Sequence, residues 1–388
     1  MHNIVIHTAL ACFASISLIV LLRNTALRMG LVDYPGGRKQ HEGGVPVVGG
    51  IAIYGAFAFS ALLITQTQPL YPFRSLLGGM GVLVLAGALD DMHDLSPIAK
   101  LGMQCGAALL MVSWGGVFVP QLGDLFGIGG VFALGNFAIP FTLVCVLGVI
   151  NALNMTDGVD GLAGGLALVS LLAFALLCVA LNLDSSLLMI SILIGAVLGF
   201  LFFNFRSPLR QRAGVFLGDA GSMALGFALC WFAVSLARIP DAAVPPIAMV
   251  WLLAVPLLDM SVVIVRRLLS GRSPLSADRG HLHHILLRAG LSDTATTLTL
   301  LLVSAICAGI GLAIWRYQIS SAWSFYGFVL LVAVTTTATR IATRHFEELN
   351  SQPAPDDSEF VIPDSERTAQ AGSVLTLGDS ELRESRKR

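Results

Sequence analysis

Charge is what this sequence has least of. Asp, Glu, Lys and Arg make up 12% of its 388 residues, where soluble domains average about 25%. A soluble chain that is 55% hydrophobic, with mean hydropathy +0.80, could not cover its own surface. An ordinary soluble fold is therefore excluded and a polytopic membrane protein is implied. The net charge of −1 says nothing about partners, and no feature points to nucleic acid. The cysteines are unpaired in sequence: Cys12, Cys105, Cys145, Cys178, Cys230 and Cys307 all fall inside apolar runs, with no C-x-x-C. Buried small hydrophobes are expected, not disulfides or a thiolate metal site. No cleavable leader is expected either. The first apolar run has no basic flank before it and no small-residue cleavage site, so it reads as a first membrane span.

What takes the place of charge is a series of long apolar runs. A span needs about 20 apolar residues. Eleven candidates lie at roughly 4–22, 47–65, 76–89, 99–119, 137–153, 162–182, 186–203, 221–237, 245–264, 295–314 and 322–339. Alternate connections differ in charge. Fifteen Lys and Arg, from Arg23 to Arg344, fall on one side, and only Arg74, Arg238 and Arg316 on the other. The excess of basic residues marks the cytoplasmic side, which puts the amino terminus outside and the carboxyl terminus inside. Residues 346–388 are rich in Ser, Asp, Glu and Pro. That composition cannot bury a core and is expected to be a disordered cytoplasmic tail after a transmembrane domain of residues 1–345.

Polar chemistry is confined to five inner segments: 23–46, 90–98, 151–161, 204–222 and 265–294. Asp90 and Asp91, with Asp94 beyond them, end a helix. The helix dipole is unfavourable for acids there, by a few tenths to about 1 kcal/mol each. Ser96-Pro97 already caps the next helix. The pair is either a solvated helix end or a cation site, and the second is preferred. Asp157 and Asp160 share a face if a helix begins there, as caps or as site residues. Asn151 and Asn154 offer amides suited to a uracil edge or a sugar hydroxyl. Asp219 lies between Gly218 and Gly221, where a ligand can approach the backbone, while Ser222 could cap the helix that follows. Phe216 could stack on a base or anchor at the membrane surface. Such hard oxygen donors suit Mg²⁺ or Mn²⁺ and not zinc.

Basic groups complete the inner face. Lys39 and His41 sit in a glycine-rich stretch that could cradle phosphate, although it is not a Walker motif. His281, His283 and His284 are either a zinc site or, with Arg272 and Arg279, phosphate contacts; the second is preferred, since no cysteine accompanies them and the acids favour hard metals. Asn204, Arg206, Arg210 and Arg212 either bind diphosphate or serve only topology. Asp259 lies within the ninth run; an intramembrane acid is a functional candidate, or it anchors an inner-face arginine.

Asp90-Asp91-x-x-Asp94, Asn151-Ala-Leu-Asn-Met-Thr-Asp157-Gly-Val-Asp160-Gly, Val215-Phe-Leu-Gly-Asp219-Ala-Gly-Ser and His281-Leu-His-His284 together resemble the polyprenyl-phosphate N-acetylhexosamine-1-phosphate transferases. The resemblance runs from about residue 20 to 345. The stretch Arg272–His284 is closest to the WecA branch, which moves GlcNAc-1-phosphate from UDP-GlcNAc to undecaprenyl phosphate. Leu282 interrupts the three consecutive histidines of the MraY branch.

This resemblance implies an all-α, eleven-span, MraY-like fold in the bacterial inner membrane, with a cytoplasmic site that needs Mg²⁺ or Mn²⁺. Asp219 would be the metal ligand, with Asp91 a second candidate. Asp90, Asp91, Asp157, Asp160 and His281 would form the catalytic set, Asp90 being the residue often proposed to deprotonate the lipid phosphate. Lys39, His41, Asn151, Asn154, Asn204, Phe216, Gly218, Arg272, Arg279, His283 and His284 would bind substrate. The expected partners are UDP-GlcNAc or another UDP-N-acetylhexosamine, undecaprenyl phosphate and the bilayer, with a homodimer as an admissible assembly. A secondary transporter is the rival class. It is disfavoured because the carboxylates gather at helix ends and not at the midplane.

Overall fold

The computed structural model describes residues 2–33, 44–64, 69–206, 210, 212–239, 244–273 and 280–351. The chain is mostly helical, and each of the eleven apolar runs carries a helix. These are α1 (His2–Met29), α2 (Gly49–Leu63), α3 (Arg74–His93), α4 (Pro97–Ser113), α5 (Ala138–Met155), α6 (Leu162–Ala180), α7 (Asp184–Asn204), α8 (Gly218–Ala237), α9 (Pro246–Leu252) and α10 (Ala254–Leu269), then α11 (Leu282–Arg288), α12 (Asp293–Arg316) and α13 (Ser321–Ser351). Among the described residues eight helices are long and apolar enough to cross a membrane; α9 and α10 make a ninth if they count as one bent span. α2 and α4 are apolar but shorter. The molecule is a multi-pass membrane protein.

Local chemistry explains the breaks. Ser96 caps α4 as its sequence promises, with its Oγ accepting from Ala99 N–H at 3.3 Å and Pro97 in the first helical position. The bend of 88° between α9 and α10 follows from Pro256, which has no N–H to give Leu252 O. Ser170 Oγ donates to that carbonyl instead, at 2.9 Å.

α8 is the centre of the bundle, buried along almost its whole length, whereas α1 and α13 are largely exposed. Glycine lets α2 and α3 reach it. A side chain at Gly50 would strike the backbone of Gly221, and one at Gly87 that of Ala220. A small departure from all-α lies nearby. Val32–Asp33 and Val45–Pro46 form a two-stranded antiparallel ribbon, Val32 opposite Pro46 and Asp33 opposite Val45. Pro46 O accepts from Phe216 N–H at 2.9 Å, while Gly49 and Gly50 N–H donate to Phe216 and Leu217 O, each at 3.0 Å. The ribbon and the start of α2 thereby fix the lead-in to α8.

By compactness the chain divides into Met1–Ile341 and Ala342–Arg388. Of the second unit the described residues are 342–351, which belong to the last helix. The expected tail lies almost wholly outside the described residues.

Candidate active site

Three helix ends meet at the acids. Asp90 closes α3 with its side chain only 4% exposed, and its Oδ1 accepts from Leu95 N–H at 2.8 Å. Asp219 opens α8 with its side chain 26% exposed. Lys100, in the first turn of α4, stands between them. Its Nζ is ion-paired with Asp90 and lies 3.1 Å from Asp219 Oδ2. Asp90 and Asp219 thus share one cation, the ammonium of Lys100. Asp91 does a different job. Its Oδ1 and Oδ2 accept from the N–H groups of Asp219 (3.0 Å) and Ala220 (3.4 Å), so it caps α8 and sets the placement of Asp219. Asp94, in the left-handed conformation that ends α3, is exposed.

The segment 151–161 joins this cluster through one amide. Asn154 Nδ2 donates to Asp219 Oδ1 and to Ser222 Oγ, both at 2.8 Å. Ser222 is not the cap of α8 but lies within it, donating to Gly218 O at 3.0 Å. Asn151 turns the other way, its Nδ2 donating to Gln104 Oε1 (2.7 Å) and Leu147 O (2.8 Å). Asp157 and Asp160 do not begin a helix; α6 starts after them, at Leu162. Asp157 is exposed. Asp160 is 2.6 Å from Arg206 Nε and accepts from Ala213 N–H at 3.2 Å. Arg206 also reaches Asp293 Oδ2 at 2.6 Å, tying the turn before α6 to the start of α12. Asn204 is a buried clamp: its Oδ1 accepts from Gly161 N–H at 2.8 Å and its Nδ2 donates to Val215 O at 2.9 Å.

Asp259 organises the histidines. Buried in α10, it accepts from Leu282 N–H at 2.7 Å and pairs with His281 Nδ1 at 2.8 Å. Asp259 thus holds the histidine loop. His281 stacks on His283, whose ring lies 4.2 Å from that of His284. His283 is buried, and burial, reinforced by the neighbouring His284, lowers its pKa from 6.5 to about 4. Its Nε2 lies against Gly158, where an added side chain would strike it. The loop therefore meets the 151–161 segment, which also reaches Asp219.

Phe216 and Gly218 are half-buried at the entry to α8, and Arg272 is exposed after α10. Lys39, His41 and Arg279 lie outside the described residues.

A model of glycosyl transferase family 4 matches residues 73–237. Three relatives are undecaprenyl-phosphate alpha-N-acetylglucosaminyl 1-phosphate transferases. The Yersinia pestis protein is 35% identical over 317 residues, which is 82% of this chain and 86% of the relative. The Escherichia coli (strain K12) protein is 37% identical over 290 residues, or 74% and 78%. The Haemophilus influenzae protein is 34% identical over 317 residues, or 81% and 87%. The chain belongs to glycosyl transferase family 4.

In this family 4 chain, Lys100 is the residue that sequence reasoning passes over, since it counts there only as a topology charge. A signal did exist. A lysine in the first turn of a helix faces the positive end of the dipole, the mirror image of two acids at a carboxyl end. Gln104, one turn further along α4, is likewise legible only through its partner Asn151.

Proposed function

We propose that the chain transfers GlcNAc-1-phosphate from UDP-GlcNAc to undecaprenyl phosphate, giving undecaprenyl-diphosphate-GlcNAc and UMP. The observation that carries the reading is the convergence of Asp90 and Asp219 on one cation at the meeting of α3, α4 and α8. The named relatives supply the substrates. An oxygen of the lipid phosphate attacks the phosphorus that bears the sugar. The bond from that phosphorus to the oxygen bridging the two phosphates breaks, and UMP leaves with the electron pair. No covalent enzyme intermediate is required.

A divalent cation fits the donors. Mg²⁺ takes one or two carboxylates together with substrate phosphates; Asp219 would be its ligand, sharing its carboxylate with Lys100, while Asp91, the other expected ligand, is taken up in capping α8. When bound, the ion would neutralise charge on the donor diphosphate. The chain's own residues do the remainder. Asp91 fixes the start of α8, Asn154 orients the Asp219 carboxylate, and Lys100 lowers the repulsion between two acids and an anionic substrate. Asp157 lies on the exposed side of the same segment, where the nucleotide would approach. His281, His283 and His284 offer ring N–H donors to phosphate oxygens, with His281 held by Asp259. Asp160 and Asn204 act by holding loops in place.

The eleven apolar helical segments would cross or enter the bacterial inner membrane, with the amino terminus outside and the carboxylates on the cytoplasmic side; the distribution of Lys and Arg supports that orientation.

The test is purified full-length protein with undecaprenyl phosphate, Mg²⁺ and a panel of UDP-sugars, read by UMP release. Release with UDP-GlcNAc is expected, abolished by EDTA and restored by Mg²⁺ or Mn²⁺. Release with a different donor alone would overturn the substrate; release that survives EDTA would overturn the metal.

A further inference from the structure

The other end of α3 carries a feature that the transfer reaction does not use. An open groove of about 490 Å³ lies among Tyr54, Tyr71, Arg74, Leu77, Gly78 and Trp114. Arg74 forms its polar wall. Its Nη1 donates to Tyr71 O at 2.7 Å and its Nη2 to Trp114 O at 2.5 Å, and the guanidinium lies 3.6 Å over the Tyr71 ring. These contacts fix the group without neutralising it. Among the described residues no carboxylate pairs with Arg74, and its Nε finds no acceptor. Each amino nitrogen keeps a second N–H, the fork that suits a phosphate oxygen pair.

The groove continues as a track. Gly78, Val82, Leu85 and Leu89 fall on one stripe of α3 at helical spacing. Val82, Leu85 and Leu89 are 36%, 69% and 49% exposed. Gly78 leaves the ring of Trp114 seated against the helix where a side chain would collide with it. Tyr54, its hydroxyl donating to Leu77 O at 3.2 Å, closes the side toward α2. A fixed, unneutralised cation at the helix end leads directly into an apolar strip along the span.

We propose that this groove is a binding site for an anionic phospholipid, with the phosphodiester at Arg74 and one acyl chain along Gly78–Leu89. Charge complementarity selects the headgroup, and the stripe selects an amphiphile over a free anion. Because α3 carries Asp90 and Asp91 at its other end, the lipid belongs to the leaflet opposite the carboxylates. The site requires only the membrane reading and not the identity of the sugar donor.

The experiment uses full-length protein in nanodiscs containing phosphatidylglycerol with a diazirine high on one acyl chain. Adducts are mapped by mass spectrometry to the peptides holding Tyr54, Leu77 and Trp114. Unlabelled phosphatidylglycerol should suppress labelling at least tenfold more effectively than phosphatidylcholine. Labelling should fall at least fivefold in Arg74→Gln and in Leu77→Trp, which fills the groove and leaves the charge. Arg74→Lys should retain most of it, and its unfolding midpoint serves as the folding control. Equal competition by phosphatidylcholine, or unchanged labelling in Arg74→Gln, would overturn the site. Displacement by inorganic phosphate would reassign it to a soluble anion. None of these readouts depends on UMP release, so their failure leaves the transfer reaction standing.

Discussion

Asp91 accepts the backbone N–H of Asp219 at 3.0 Å, so one acid of the site holds the helix end that presents another. Two acids that sequence places in one class thereby have separate work: Asp91 in placing α8, Asp219 in meeting a cation. The difference can be measured. Asp91→Ala leaves two amide donors of the α8 first turn without their acceptor, at a cost of about 1–3 kcal/mol. Asp91→Asn keeps an acceptor oxygen and should recover roughly half of that loss in an unfolding titration. Equal stability of the two variants would show that the capping contact contributes little.

Lys100 bears the larger electrostatic load. Lys100→Met leaves Asp90 and Asp219 facing each other without the ammonium they share, and UMP release should fall by about 100-fold or more. Lys100→Arg should restore part of it, since it returns the charge in a different shape. Full activity in Lys100→Met would remove it from the mechanism.

Asp90 is expected to orient substrate more than to take its proton. A phosphate monoester has a second pKa near 6, so the attacking oxygen is already anionic at neutral pH. Asp90→Asn should therefore lose turnover between pH 7 and pH 9 without recovering at the upper end. Recovery at high pH would establish Asp90 as a base.

His283 links stability to pH. Its pKa is lowered to about 4 in the folded protein, chiefly by burial, from an unfolded value of 6.5. The unfolded chain thus binds this proton more readily. Stability is fully present above pH 6.5 and declines as pH falls toward 4, by at most a few kcal/mol at about 1.4 kcal/mol per pH unit. His283→Gln should flatten this part of the profile in denaturant unfolding at pH 7 and pH 5. An unchanged slope would assign it to other groups.

The helices were legible because each is written locally. Apolar runs set every helix but α11, and Ser96-Pro97 marked the start of α4; the break between α9 and α10 fell inside a run read as one span. The candidate site was legible as a set of segments but not as a set of roles. Asn151 and Asn154 look alike three residues apart, yet one meets Gln104 and the other Asp219. Asp157 and Asp160 look alike as well, yet one is exposed and the other is clamped by Arg206. Asp259 could be read as a functional acid or as an anchor for an arginine, and its observed partners are His281 and the backbone of Leu282.

By itself, the sequence determined the membrane class, the helical segments and the confinement of acids, amides and histidines to a few connections, because hydropathy and helix-end signals act over one or two turns. Tertiary structure alone decided which acid meets the cation and which caps a helix. Lys100 and Asp219 are 119 positions apart. Their meeting depends on how closely α2 and α3 approach α8 at Gly50 and Gly87, a packing distance that no local pattern encodes.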